Sequence, residues 1–169
     1  MSQVCLLDSD RLSALLRDAL PWSDNVSSLM VSATNGSILA YAYMDTTPSI
    51  KDMRTQSTTM TAAYTVASED ILVFEAQNTG AISVITPIAD HILLAVTGPE
   101  PKKPKPAQNG HLEDAEHASV GTEESHEEEG QIEEDEGHHQ IRTDLEVVSQ
   151  ELARVLREEL SKLKWPEEI

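Results

Sequence analysis

The chain has 169 residues, the length of one domain or of one domain with an additional segment. Lys and Arg total 12 against 30 Asp and Glu, a formal net charge of −18, which argues against binding nucleic acid phosphates or anionic lipid headgroups. One cysteine, Cys5, excludes an intramolecular disulfide and a thiolate zinc cluster. No apolar run reaches the roughly 20 residues that span a bilayer, and the first residues lack both a secretory pattern and a myristoylation glycine. We therefore expect a soluble, intracellular protein without direct membrane insertion.

The charge excess is concentrated in one internal segment. From His111 to His139, 29 residues contain 12 Asp and Glu and no Lys or Arg. Four prolines lie just before this segment, between Pro99 and Pro106. Such a stretch holds too few apolar side chains to offset the entropy of ordering it. The sequence predicts a disordered insertion over residues 99–140, inside a single domain formed by residues 6–98 and 141–165.

Three stretches carry apolar residues at the helical spacing of three and four. The first follows Asp8 and Ser9, either of which can cap a helix. The second follows Thr47 and Pro48, a capping hydroxyl and a proline suited to the first helical position. The third, over residues 145–163, follows the insertion and has leucine and valine along one face. The sequence therefore predicts three helices.

Five short apolar runs predict β-strands. Asn35-Gly36 separates the first two runs and favours a hairpin with a type I′ turn. Pro87 is expected near the end of the fourth strand. The resulting order α-β-β-α-β-β-β-α predicts an α+β fold, an α/β sandwich with a five-stranded antiparallel sheet and helices on its faces. The predicted strands are residues 26–33, 38–44, 71–76, 81–86 and 92–96.

Little in the sequence points to catalysis. Cys5 has no neighbouring base that would lower the pKa of its thiol. Five of the six histidines lie in the acidic insertion, without a helical i, i+4 pair of ligands. Gly-x-Ser-x-Gly, His-Glu-x-x-His and Walker patterns are absent from the sequence. We expect a protein that is not an enzyme, with no catalytic residues, no cofactor and no metal site.

The first hairpin carries a resemblance to a known family. Residues 29–41 read Leu-Met-Val-Ser-Ala-Thr-Asn-Gly-Ser-Ile-Leu-Ala-Tyr and resemble the corresponding run of the roadblock/dynein light chain domain family. Within that family they look most similar to roadblock subunits of Ragulator, the late endosomal and lysosomal scaffold. The resemblance covers about residues 8–98 and 141–164, with further similar stretches at residues 72–74, 80–84 and 93–96.

The resemblance implies a pairing surface. Roadblock domains pair through an edge strand, so that the sheet continues into a second domain and the second helices pack together. Methionine is also a common core filler, so the same residues could instead cover their own sheet. The candidate partner contacts are Met53, Met60 and Tyr64 on the second helix, and Ile71, Val73 and Phe74 on the third strand.

The resemblance also implies a function. The chain would be a scaffold subunit that forms a heterodimer with a second roadblock-domain subunit, or a homodimer when alone. A lipidated anchor subunit would hold the pair on the late endosomal, lysosomal or vacuolar membrane. There the complex, which has guanyl-nucleotide exchange activity, would recruit Rag-type GTPases for amino-acid signalling to the TOR kinase. The alternatives are a dynein light chain that holds the intermediate chain, and a homodimeric regulator of a small GTPase.

Overall fold

The computed structural model describes residues 8–67, 69–77, 79–101 and 128–162. The strands form one antiparallel sheet in the order β2-β1-β5-β4-β3, which confirms the predicted fold class and element order. A short 3-10 turn, Leu20–Trp22, follows the first helix. The elements are α1 (Ser9–Ala19), β1 (Ser28–Ala33), β2 (Ile38–Tyr43), α2 (Ile50–Ala67), β3 (Leu72–Glu75), β4 (Ile82–Ala89), β5 (Ile92–Thr97) and α3 (Glu128–Ser161).

The sheet separates two hydrophobic cores. Successive strand side chains point to opposite faces, so Leu29 and Val31 of β1 enter one core while Met30 enters the other. The larger core lies beneath α1 and α3, and the smaller core lies beneath α2. Every residue of β5 is buried, because helices cover both faces of the sheet at this central strand.

Helices α1 and α2 each begin directly after a residue whose side chain accepts a hydrogen bond from a free backbone N–H group of the first turn. The Asp8 carboxylate accepts a hydrogen bond from the Arg11 N–H at 3.0 Å, which confirms Asp8 as the cap of α1. The predicted Thr47 cap of α2 is wrong, since α2 begins at Ile50 and Ser49 caps it. Ser49 Oγ accepts from the Asp52 N–H at 3.2 Å and donates to Asp52 Oδ2 at 2.7 Å. Thr47 has no such partner three residues later, so the reciprocal pair sets the boundary.

The first hairpin is present, but its turn is not type I′. A type I′ turn needs positive φ at both central residues, whereas Asn35 has a negative φ and only Gly36 is positive, at 90°. The Gly36 N–H donates to the Ala33 carbonyl, and the Ala33 N–H donates to the Ser37 carbonyl. This is a three-residue loop that ends in a left-handed glycine. The Asn35 side chain supports the loop by accepting from the Ser37 N–H at 2.9 Å.

Helix α3 begins earlier than predicted. The sequence places this helix over residues 145–163, after an insertion that ends at residue 140, whereas the structure has helix from Glu128, so residues 128–140 of the predicted insertion are helical. Glutamate is a good helix former, and extending an anchored helix costs far less than nucleating one. Residues 102–127, the centre of the predicted insertion, lie outside the described residues, as do Cys5 and Leu163.

Strand β4 is also longer than predicted. It continues past Pro87 to Ala89, with a register shift between these two residues. A bulge tolerates a proline because one residue there makes no regular ladder bond. The Pro87 carbonyl also accepts a hydrogen bond from the Arg157 guanidinium at 2.7 Å, which connects this end of the sheet to α3.

Removal of the Ser57 hydroxyl should destabilise the fold. Ser57 is fully buried in α2, and its Oγ donates to the Gly36 carbonyl at 2.9 Å, joining the helix to the hairpin loop. Ser57→Ala leaves that carbonyl without its partner, at a cost of about 1–3 kcal/mol in the free energy of unfolding. Thermal and urea unfolding measure the effect. Thr59→Ala, on the exposed side of the same helix, is the control and should change stability by less than about 0.5 kcal/mol.

An ion pair between α1 and α3 should make stability depend on acid pH. Arg11 Nη2 lies 2.8 Å from Glu159 Oε2, and Lys162 Nζ lies 3.0 Å from Glu159 Oε1. The hydrogen bond from Lys162 and the Arg11 charge outweigh partial burial and lower the pKa of Glu159. A carboxyl with a lowered folded-state pKa stabilises the fold above its unfolded pKa, and this stabilisation is lost as pH falls through the folded value.

Glu159→Gln should therefore lower the Tm at neutral pH, with a difference from wild type that shrinks between about pH 6 and pH 3. Thermal unfolding across this range is the measurement. Glu158→Gln, one position along the same helix, is the control. A Tm difference that stays constant with pH would contradict the role assigned to the Glu159 ion pair.

Candidate interaction surface at the β3 edge

Strand β3 lies at one end of the sheet. It pairs with β4 from Leu72 opposite Ile85 to Glu75 opposite Ile82. On its other side, no strand of the described residues pairs with it. In the described residues β3 is therefore an edge strand, which is the position that the family resemblance implies for a pairing strand. An edge strand presents unpaired backbone N–H and C=O groups that can bind another strand.

The register shows which backbone groups are free. The Ala76 N–H donates to the Ala81 carbonyl at 2.9 Å, so these two residues form a hydrogen-bonded pair. Such pairs alternate along an antiparallel ladder, which directs the backbone groups of Leu72 and Phe74 toward β4. The N–H and C=O groups of Val73 and Glu75 therefore point outward from the sheet.

The side chains of β3 divide between the two faces of the sheet. Phe74 and Leu72 are half-buried against the core beneath α2. Val73 packs partly against the core beneath α3 and, with Glu75, lines a groove of about 730 Å³ between β3 and the middle of α3. The groove is charged along its walls, and Arg142 there forms an ion pair with Glu146 at 3.1 Å. Its other ionisable lining residues are Glu69, His138 and His139.

The residues proposed from the sequence as partner contacts differ in exposure. Met53 and Met60 are 4% and 3% exposed and pack beneath α2 onto their own sheet. Tyr64 is half-buried in the same core, and burial, followed by the Asp70 charge, raises the pKa of its hydroxyl. Ile71 is 40% exposed immediately before β3. A partner contact for these six residues stays a prediction.

The outward face of α2 is a surface that the sequence reasoning missed. Thr55, Thr59, Ala62 and Val66 are all exposed and follow one another at steps of four, three and four residues. Val66 is 84% exposed. The stripe is uncharged and its side chains are short. The sequence signal for this surface is the threonine-rich centre of the helix, where residues at steps of three and four positions share one face.

The described residues contain no group of three or more His, Cys, Asp or Glu that could hold a metal ion. None of the helices that the structure describes combines the length and hydropathy needed to cross a bilayer. The surface that stands out is the open β3 edge beside the uncharged face of α2, an arrangement suited to binding another polypeptide.

Comparisons with known proteins give structural matches alone. No protein-family model matches the sequence, and no curated protein matches it. Three similar solved structures are a roadblock/LC7 domain from Streptomyces avermitilis, the gliding protein MglB from Thermus thermophilus, and MglB from Myxococcus xanthus. Their identities to this chain are 10%, 14% and 15%, with TM-scores of 0.43, 0.43 and 0.41. The matches cover 51%, 58% and 54% of this chain, and 76%, 76% and 78% of the solved chains.

Proline substitutions should distinguish the outward and inward residues of β3. Val73→Pro removes an N–H that points away from β4, so relative to Val73→Ala it should cost less than about 1 kcal/mol. Phe74→Pro removes an N–H that bonds to β4, so relative to Phe74→Ala it should cost about 1–3 kcal/mol more. Chemical unfolding of the four variants measures both differences. Equal proline costs at the two positions would contradict the deduced orientation of the strand.

Proposed function

We propose that this protein is a non-enzymatic scaffold subunit that pairs through β3 with a second roadblock-type domain. The observation that carries the proposal is the open edge, where the N–H and C=O groups of Val73 and Glu75 point outward. A second domain that presents its own edge would satisfy these groups and continue the sheet across the interface.

The face of α2 supports the same pairing. Tyr64 on α2 and Phe74 on β3 belong to one core, so the helix and the edge strand form one side of the domain. Short side chains such as Thr59 and Ala62 let a partner helix approach closely, because the distance between packed helices depends on the side chains at the contact. Val66 adds an apolar anchor at the end of this stripe.

The partner in the proposal is a different chain. Each copy of this protein carries a formal charge of −18, so two copies repel one another more strongly than one copy and a less acidic partner. A heterodimer is therefore the assembly we expect in cells, with a homodimer forming when the partner is missing.

The resemblance of residues 29–41 to Ragulator subunits gives the proposed cellular role. The pair would belong to a Ragulator-like complex on late endosomes, lysosomes or the vacuole, held there by a lipidated subunit. It would recruit Rag-type GTPases for amino-acid signalling to TOR. A dynein light chain and a homodimeric regulator of a small GTPase use the same fold and the same edge, so they are the alternatives.

Purification of the tagged chain from its native cells, followed by mass spectrometry, tests the role. We expect a second roadblock protein, a lipidated subunit and Rag-type GTPases to be recovered with the wild-type chain. Val73→Lys places a charge in the pairing strand and should lose the second roadblock protein while the variant remains folded by circular dichroism. Val147→Lys, at an exposed position on α3, is the control and should retain all partners.

Other outcomes would change the proposal. Recovery of dynein intermediate chain would assign the protein to the motor branch of the family. Recovery of the chain alone, as a homodimer, would favour the self-contained GTPase regulator. Retention of the second roadblock protein by a folded Val73→Lys variant would show that β3 is not the pairing strand.

A further inference from the structure

The opposite end of the sheet has a second open edge, formed by β2. Among the described residues β2 pairs only with β1. Proteins usually protect such an edge with a charged side chain, a proline, a β-bulge or a very short strand. The six residues from Ile38 to Tyr43 contain no charged residue and no proline, and the pairing with β1 shifts register opposite Val31 and Ser32. Beyond this bulge, the regular stretch from Ala40 to Tyr43 has no such protection and is a hazard for aggregation unless another strand covers it.

The register again shows which backbone groups are free. The Met44 N–H donates to the Ser27 carbonyl at 2.9 Å, so these residues form a hydrogen-bonded pair with β1. Alternation then directs the backbone groups of Ala42 and Ala40 toward β1. The N–H and C=O groups of Tyr41 and Tyr43 point away from the sheet, into the space that a neighbouring strand would occupy.

Exposed apolar side chains lie beside this edge. Tyr41 and Tyr43 lie on the α2 face with their ring centroids 6.0 Å apart, and Tyr43 is held in place by a hydrogen bond from its hydroxyl to Gln56 at 3.2 Å. Tyr41 is 40% exposed, and Met44, directly after the strand, is 48% exposed. Ile50, which begins the helix covering this face, is 64% exposed.

We infer that β2 is a binding site for an extended segment of another polypeptide, which adds a strand at Tyr41 and Tyr43. The backbone of that segment bonds to the four outward groups of the two tyrosines. Its side chains on the α2 face are apolar and contact the ring of Tyr41. The site is separate from the β3 edge, because β1, β5 and β4 lie between the two edge strands.

The chemistry of the segment follows from the charges of the site. Since β2 has no charged side chain, the residues of the segment that lie against it are uncharged. The whole chain carries −18, which attracts a segment with basic flanks. A second copy of this chain is a poor occupant, because it carries the same charge of −18 and would be repelled. If both edges bound further copies, the sheet would also extend without closing.

Amide hydrogen exchange with a peptide probe tests the inference on the full chain. The probe is Lys-Lys-Thr-Val-Thr-Val-Thr-Val-Lys-Lys, and its control has N-methylated valines that cannot donate hydrogen bonds. In the free protein, the Tyr41 and Tyr43 amides should exchange much faster than those of Ala40 and Ala42. Added probe should slow exchange at both tyrosines, whereas the N-methylated peptide should not.

Two variants separate the contribution of the Tyr41 backbone N–H to probe binding from that of the aromatic ring. Tyr41→Pro and Tyr41→Thr both remove the ring, but only the proline removes the outward N–H. The proline variant should bind the probe about tenfold more weakly than the threonine variant. Circular dichroism checks that both variants are folded, and Val147→Thr, at an exposed position on α3, should bind the probe like wild type.

Four results would overturn the inference. Slow exchange of the Tyr41 and Tyr43 amides in the free, monomeric protein would mean that the chain covers its own edge. Dimerisation that depends on concentration and is lost in Tyr41→Pro would make a second copy the occupant. Failure of the probe to bind up to about 1 mM, or equal binding to both Tyr41 variants, would exclude strand addition at β2. None of these results bears on pairing at β3, which Val73→Lys tests separately.

Discussion

Burial of both faces of the central strands is the constraint on which the rest of the structure depends. Strand β5 is buried at every residue, and β1 is buried at all but its last. Such strands are stable only when one layer of helices covers each face, because each buried Leu, Ile or Val side chain contributes about 1.5–3 kcal/mol. Helices α1 and α3 form one layer and α2 forms the other.

The same constraint leaves the two edges open. Helices can cover the faces of a sheet, but they do not satisfy the backbone groups of its outermost strands. The two edges differ in their chemistry. Strand β3 has four residues, ends in Glu75 and lies beside a charged groove. Strand β2 has six uncharged residues, among them the exposed Tyr41, and is followed by the exposed Met44. The domain therefore has two open strand edges, and the side chains beside them differ in charge.

Local chemistry explains where prediction from the sequence succeeded. Asp8 caps α1, and the apolar periodicity of three helices and five strands gave the correct element order. The predictions were wrong at the α2 cap and at the first hairpin turn, where neighbouring residues offer alternative local hydrogen bonds. Ser49 replaced Thr47 as a cap because Asp52 reciprocates its hydrogen bond. The Asn35-Gly36 turn became a three-residue loop in which Gly36 alone has a positive φ. The Gly36 carbonyl of that loop accepts a hydrogen bond from the hydroxyl of Ser57, which is buried in α2.

The sequence by itself determined the elements, their order and the presence of an antiparallel sheet, since periodicity and turn residues act over a few positions. The tertiary structure decided which side of each element is free. On α2, Met53 and Met60 pack inward onto the sheet while Thr55 and Thr59 face outward, and helical spacing alone does not show which side is free. The outward direction of the Tyr41 and Val73 backbone groups follows from the hydrogen-bond register between strands. That register depends on contacts between residues far apart in the chain, which a local pattern does not encode.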